Sequence, residues 1–321
     1  MNAWFVTPVY RDVQSFLILR ERLLEIAPEA GIDRARFVVA DDTAGQDPEI
    51  ELLRALDDVV VLEPPFNLGH QRAIVFALRR VLPAIADDDL VVTLDADGED
   101  RPADLPRLIA PLRDEQGREQ RVALALRTER NESFGFKLMY WLFRVLFRGL
   151  TGTTVRSGNF AAMRGSVARR ALRHPMFDLA YSSTLLALDL PIAYVPCPRG
   201  ERYEGESKMT FGRLSTHGLR MLMPFTERIA VRALAAFTFF LVLGIAIAIA
   251  IVCVKLFTDS AIPGWASITA LASLIISLIA LGNFVTLFML FSQTRAVSLS
   301  SVEDLHDGES AGLIGIPDEA R

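Results

Sequence analysis

The chain has 321 residues, 51% of them hydrophobic, and a formal net charge of -5, which allows one large domain or an ordinary domain plus something smaller. This balance excludes the global basic footprint of a bulk nucleic-acid binder, and two distant cysteines, Cys197 and Cys253, offer neither a disulfide framework nor a metal or redox motif. A mean hydropathy of +0.30 beside 23% charged residues requires the two properties to be separated along the chain: charges are dense up to about Arg232, sparse until Arg295, and dense again in the short tail.

No secretory leader precedes the first strand-like run, Trp4-Phe5-Val6, so the N-terminal part is expected to stay in the cytoplasm. From there short apolar runs alternate with helix-length amphipathic stretches, and Trp4–Val6, Phe37–Ala40, Val59–Leu62, Leu90–Leu94 and Val122–Leu126 read as strands. Repeated βα units predict an α/β domain whose mostly parallel sheet is covered by helices on both faces. Ligands in such folds bind at the carboxyl ends of the strands. Those ends are polar: Thr7 to Asp12, Asp41 to Gly45, Asn67 to Ala73, and Asp95-Ala96-Asp97-Gly98-Glu99-Asp100. The glycine fingerprints of dinucleotide dehydrogenases and P-loop nucleotidases are both missing from these positions.

Asp95 and Asp97 form the sharpest pair. Two carboxylates one residue apart, at the end of the apolar run Leu90 to Leu94, suit a hard divalent ion that also binds a diphosphate, because Mg²⁺ takes few protein carboxylates and fills its shell with phosphate oxygens and water. A D-x-D alone also describes many solvated loops; its place after a buried strand gives it weight. Asp41 and Asp42 read either as a cap or turn or as acceptors for a uracil edge or a ribose hydroxyl. Asn67 and Gly69 are expected to shape the turn into a helix opened by His70 and Arg72. Arg127 and Arg130, after the fifth strand, and Arg202 and Lys208, in a Gly-containing loop, are the cations expected to face phosphate, Arg by paired hydrogen bonds and Lys as a point charge.

Met209 to Arg228 mixes apolar residues with Arg213, Arg220 and Arg228, a composition suited to a membrane surface or to an amphipathic helix packed on its own domain. Ala233 to Val254 carries no charge and, at about 1.5 Å per residue, makes roughly 33 Å of helix, enough for a bilayer core of about 30 Å. A second apolar run, Ser267 to Phe291, is broken only by Ser, Thr and Asn283, which a helix or its neighbour satisfies. The turn between them, Thr258 to Trp265, has no Lys or Arg, whereas Arg228, Arg232 and Arg295 flank the pair, so both ends are expected inside the cell. The expected organisation is thus a catalytic domain over 1–208, a juxtamembrane region over 209–232, spans over 233–257 and 267–292 joined by an outer turn over 258–266, and a cytoplasmic tail over 293–321. Small residues in both spans permit packing against further copies of the chain.

At this point the sequence resembles glycosyltransferase family 2, and within it the polyprenyl-phosphate glycosyltransferases, which include dolichyl-phosphate mannose synthases and bacterial undecaprenyl-phosphate glucosyltransferases. Thr7-Pro8-Val9-Tyr10 is similar to the family's opening P-x-Y, Asp41-Asp42 to its paired aspartates, Asn67 to Ala73 to its N-x-G segment, and Asp95-Ala96-Asp97 to its metal motif. Ser157-Gly158-Asn159-Phe160 resembles the acceptor-loop S-G-D-F, and Arg202 with Gly205 to Lys208 resembles R-x-x-G-x-S-K. The resemblance implies a GT-A fold anchored in the bacterial inner or plasma membrane, and inverting transfer of a sugar from a nucleotide diphosphate, expected to be uridine diphosphate, to a polyprenyl phosphate. It places Pro8, Tyr10, Asp12, Asp41, Asp42, Asn67, Gly69, Arg72 and Asp95 at the donor, Mg²⁺ or Mn²⁺ on Asp95, Asp97 and Glu99, and Asp97, Arg127, Asn159, Arg202 and Lys208 in catalysis.

Four positions depart from the pattern: Arg11-Asp12 stands for Asn-Glu, Glu99 for Gln, Arg101 for Pro and Asn159 for Asp. Glu99 would bind a metal more strongly than an amide. Asn159 cannot act as a base, but a lipid phosphate is already anionic, with a second pKa of about 6 by analogy with phosphoserine. Two rival readings stand beside this one. A processive polysaccharide synthase would carry Q-x-x-R-W, which is missing here, since Gln293-Thr294-Arg295 has no Trp; a non-catalytic membrane scaffold would explain the departures.

Overall fold

The computed structural model describes residues 1–113, 122–127, 134–154, 157–178, 180–188, 190–203, 218–257 and 264–294. Its sheet has seven strands: β1 (Asn2–Val9), β2 (Arg34–Asp41), β3 (Val59–Leu62), β4 (Leu90–Thr93), β5 (Val122–Arg127), β6 (Ser157–Arg164) and β7 (Ile192–Cys197), in the order β3-β2-β1-β4-β6-β5-β7. β6 alone runs against its neighbours β4 and β5; the other pairings are parallel. The five strands expected from sequence are present, and β6 and β7 are additional. Ser157 to Phe160, expected as a loop, lies in β6, because an antiparallel strand between β4 and β5 satisfies its backbone on both sides.

The helices that bear on the site are α1 (Val13–Ile26), α2 (Glu51–Arg54), α3 (His70–Val81), α4 (Leu105–Ile109), α5 (Phe134–Thr151), α6 (Gly165–Leu172) and α7 (Tyr181–Ala187). Alternate residues of the central strands point to opposite faces. On one face Phe5, Phe37, Val39, Val92 and Ala123 pack with Phe16 and Leu19 of α1 and Leu105 and Leu108 of α4 in a fully buried cluster. Phe5 and Phe37 stack at 5.3 Å, and Phe16 meets Phe37 edge-on at 6.1 Å, geometries that aromatic quadrupoles favour. α3, α6 and α7 cover the other face.

The chain starts at β1, steps outward through β2 and β3, and returns to β4 on the opposite side of β1. That reversal opens a crevice at the carboxyl ends of β1 and β4, where α/β sheets take their ligands. β1 extends past its β4 pairing, which ends at Val6↔Thr93, to pair Pro8 with Ala40 and Val9 with Asp41 of β2. Pro8 is therefore a buried strand residue and not part of a loop after the strand. It is tolerated because the β4 ladder has already ended beside it.

The chain divides into two compact units, Met1–Val145 with Thr153–Pro224, and Leu146–Gly152 with Phe225–Ser298. In the second unit, α8 (Thr226–Phe257) and α9 (Trp265–Thr294) pack on each other and leave Phe239, Phe240, Leu256, Ile268 and Ile276 exposed. Among the described residues these two helices are long and apolar enough to cross a membrane. The last turns of α5 cap α8: Phe147 and Phe225 meet edge-on at 5.5 Å, and Arg232 donates to the carbonyls of Arg148 and Gly149. Those carbonyls end α5, where a guanidinium also complements the helix dipole.

Candidate active site

β4 delivers Asp95 to the rim and the chain then turns sharply. Asp100 folds back to accept the Asp95 N–H at 3.0 Å, and the Asp97 carboxylate accepts the Glu99 N–H at 3.1 Å. Gly98 has φ +89, and a Cβ there would sit 2.8 Å from the Tyr203 ring. Gly200 lies so close that a Cβ would meet the Gly98 carbonyl at 2.2 Å. Two backbone hydrogen bonds, Gly200 N to Glu99 O and Tyr203 N to Asp97 O, both 2.9 Å, lock the segment before residue 204 onto this turn. Glycine at both positions is what lets two backbones approach this closely.

Charge follows the same clasp. Glu99 Oε1 accepts from Arg199 at 2.6 Å and from Arg202 Nε at 2.8 Å, while the Arg202 Nη2 reaches Asp97 at 2.9 Å. Burial works against the Glu99 charge, but the two guanidiniums outweigh it and hold the carboxyl below its ordinary value. For Asp97, burial and the neighbouring Asp95 and Glu99 raise the carboxyl above the usual range although Arg202 pairs with it. The two directions agree physically, since Arg202 is shared and Glu99 has Arg199 besides. Two of the expected site residues are ion-paired within this turn. Glu99, expected on the metal, spends its charge on two arginines; Arg202, expected at the acceptor phosphate, is drawn onto the carboxylate turn.

Asp95 gathers side-chain partners from two elements, α3 and β6. Its Oδ1 is 2.7 Å from His70 Nε2 at the start of α3 and accepts from Asn159 Nδ2 of β6 at 3.2 Å. Desolvation opposes a charge on His70; with 45% of the side chain exposed, that opposition yields to Asp95, Asp97 and Asp100, which raise the imidazole above its ordinary value. Gln71 ties this corner together, donating to Asn159 Oδ1 at 3.2 Å and Ser182 Oγ at 2.9 Å, and accepting the Tyr181 N–H at 3.0 Å. Asp95, Asp97 and Asn159 are thus brought together at one corner of the site. His70 and Gln71 were not assigned roles there, and the available signal was their place at the opening of a helix that follows a strand end.

Of the two readings given to the paired aspartates, the contacts described are those of a turn. Asp41 is fully enclosed, and its carboxylate accepts the N–H groups of Thr43 and Gly45 and the Thr43 hydroxyl. Asp42 accepts from Leu68 N at 2.7 Å and Gly69 N at 3.2 Å, while Asn67 Nδ2 bonds the Asp42 carbonyl at 2.7 Å. Both carboxylates brace loops with backbone bonds; Asn67 and Gly69, at φ +78, shape the turn as expected. Tyr10 and Arg72 are exposed at the rim and Asp12 opens α1. Arg11, where the resemblance has Asn, holds the left-handed φ of +50, which Asn accepts at lower cost. Arg127 ends β5; Arg130 and Lys208 lie outside the described residues.

Among the described residues no three His, Cys, Asp or Glu side chains are arranged to hold an ion. Two adjacent carboxylates with excess negative charge at the end of β4 match instead the donor set of an ion that takes most of its ligands from a bound diphosphate and water.

Residues 4–172 match the family model for glycosyl transferase family 2, and with the sheet and crevice described above the chain belongs to that family of glycosyltransferases and has its GT-A fold. An uncharacterized glycosyltransferase of Bacillus subtilis, YkcC, is 27% identical over 273 residues, which are 82% of this chain and 80% of that protein. An undecaprenyl-phosphate 4-deoxy-4-formamido-L-arabinose transferase of Enterobacter is 27% identical over 265 residues, 75% of this chain and 76% of its own length. Among solved structures, glucosyl-3-phosphoglycerate synthase from Mycobacterium tuberculosis with Mn²⁺, uridine-diphosphate-glucose and phosphoglyceric acid aligns at 17% identity and a TM-score of 0.49, over 71% of this chain and 79% of that one.

Proposed function

We propose that this glycosyltransferase moves a sugar from a nucleotide diphosphate, with uridine as the base, onto a polyprenyl phosphate at the cytoplasmic face of the membrane, with inversion at the anomeric carbon. The observation that carries this reading is the convergence of Asp95, Asp97, Asn159 and Arg202 at the carboxyl end of β4, in a chain that also carries two exposed apolar helices. The likeness to an undecaprenyl-phosphate transferase supports the lipid acceptor.

In this reading the donor lies across the ends of β1 and β4. Asp95 and Asp97 would hold Mg²⁺ or Mn²⁺, which when bound would supply positive charge to offset that developing on the departing diphosphate. Arg202, already beside Asp97, adds a donor on the same side. An oxygen of the lipid phosphate attacks the anomeric carbon from the face opposite the leaving group; the bond from that carbon to the diphosphate oxygen breaks, and configuration inverts. Asn159 positions Asp95 and takes no proton, since the acceptor arrives as an anion. Arg127 and Lys208 remain the proposed steering charges for that anion.

Lipid supply follows from the apolar surfaces. The spans 233–257 and 267–292 cross the bilayer with both ends inside; of the expected surface segment 209–232, residues 209–217 lie outside the described residues. α5 adds an apolar face that sequence reading passed over: Trp141, Leu142, Val145 and Leu146 are all at least half exposed, an expensive arrangement in water and a favourable one at a lipid headgroup boundary.

The test is direct. Purified protein is incubated with a panel of labelled nucleotide sugars, polyprenyl phosphate and Mg²⁺ or Mn²⁺, and label is followed into the organic phase. One donor is expected to give an extractable product that Asp97→Ala abolishes; absence of product with every donor sinks the assignment.

A further inference from the structure

Gln71 has a consequence for Asp95 that depends on the direction of each hydrogen bond. A backbone N–H can only donate, so the Tyr181 N–H, 3.0 Å from the Gln71 side chain, identifies the atom it meets as Oε1. The other end of the amide, Nε2, must then donate to Asn159 Oδ1 at 3.2 Å and Ser182 Oγ at 2.9 Å. With its oxygen taken, Asn159 has only Nδ2 to turn toward Asp95 Oδ1, 3.2 Å away. The orientation of two amides, normally ambiguous, is fixed by one main-chain group.

We propose that Gln71 is a positioning residue for the donor site: through Asn159 it holds a hydrogen-bond donor against Asp95 and so fixes the carboxylate that receives the cation and diphosphate. The inference rests on the proposed transferase reading for what Asp95 binds, and on the hydrogen-bond chain alone for how Asp95 is held. An aspartate at position 159 would lack the Nδ2 donor to Asp95, whereas asparagine supplies the donor that Gln71 selects.

Gln71→Glu isolates the effect. The new carboxylate still accepts the Tyr181 N–H, and the Ser182 hydroxyl rotates to donate to it, so the fold keeps its contacts; thermal unfolding of the variant serves as the control. Asn159 must now donate to the introduced carboxylate and present its oxygen to Asp95. Calorimetric titration with UDP in the presence of Mn²⁺ is expected to show binding about tenfold weaker, the size of one lost charge-assisted hydrogen bond, while Asn159→Asp weakens it in the same sense. In an Asn159→Ala background Gln71→Glu is expected to change nothing further, because the intermediary is gone. An equal loss in both backgrounds, or no loss in the native one, overturns the proposal. Crystal structures of the native protein and Gln71→Glu provide a readout that needs no ligand: the variant is expected to show Asp95 turned away from Asn159, and an unmoved Asp95 refutes the coupling. If the native protein binds no UDP with Mn²⁺ while Asp95 moves as expected, the uridine-diphosphate donor reading falls and the positioning role of Gln71 stands.

Discussion

Replacing Glu99 with glutamine keeps an acceptor of the same shape between two arginines and removes only its charge. In the native protein Glu99 Oε1 accepts from Arg199 at 2.6 Å and Arg202 at 2.8 Å, with side-chain exposures of 7% for the glutamate and 30% and 32% for the arginines. Hydrogen bonds to a charged acceptor contribute about 1.5–3 kcal/mol, against about 0.5–1.5 for a neutral one, so two weakened bonds lose about 2 kcal/mol before correction. Water at the guanidinium ends screens part of this, and glutamine avoids desolvating a charge, which leaves a net loss of about 1 kcal/mol. For a domain of about 150–250 residues that lowers Tm by about 2–4 °C.

The functional effect should exceed the loss of stability. Arg202, no longer divided between two carboxylates, settles on Asp97 and competes there with the proposed cation. Titrating Mn²⁺ in the transfer assay should therefore show half-activation at higher metal concentration with little change in the maximal rate. Resemblance to the family alone argues the opposite, since glutamine is the usual residue at this position. A variant of unchanged Tm and unchanged metal dependence would refute the structural argument, because the charge of Glu99 would then be holding neither arginine.

Three further outcomes are expected. Gly200→Ala drives a methyl to 2.2 Å from the rigid Gly98 carbonyl and should abolish transfer by parting the 199–203 segment from the Asp97 turn, whereas Gly149→Ala, in helix with open space around it, should raise stability by about 0.5–1 kcal/mol; thermal unfolding beside the transfer assay separates the two. Burial raises the Asp42 carboxyl above its ordinary 3.8 despite the N–H groups of Leu68 and Gly69, so the folded chain holds this proton more tightly than the unfolded one, and the stability tied to Asp42 falls as pH rises from the unfolded value through the raised one, then levels; Asp42→Asn should remove that slope from Tm measured between about pH 4 and 7, and identical slopes would contradict the reading. Burial, with a smaller contribution from Asp104, pushes the Cys197 thiol up to about 12, leaving roughly one thiolate in ten thousand at about pH 8; iodoacetamide should spare Cys197 in the folded protein and label it after denaturation, as peptide mass spectrometry would read.

The exposed face of α5 and the apolar length of α8 are features that different kinds of reading reach. Span length is a property of consecutive residues, so Ala233 to Val254 declares itself in the sequence. The α5 face is a property of which side of an amphipathic helix stays uncovered. Nothing in Phe134–Thr151 distinguishes a face buried in its own domain from one left open, and only the packed structure makes that choice.

The sequence by itself determined the parallel βα order, the strand ends that carry polar residues and the apolar C-terminal helices, because alternation, turn chemistry and run length are local and the backbone answers to them locally. Tertiary structure decided which carboxylates are available. Asp41 and Asp42 look as reactive as Asp95 and Asp97 in the chain, yet the first pair accepts backbone N–H groups, Asp41 from its own loop and Asp42 from the loop after β3, while the second stands among the side chains of His70, Asn159 and Arg202. Hydrogen-bond demand and charge pairing are settled by neighbours in space, and those neighbours exist only once β6 has inserted beside β4 and the 199–203 segment has closed over Gly98.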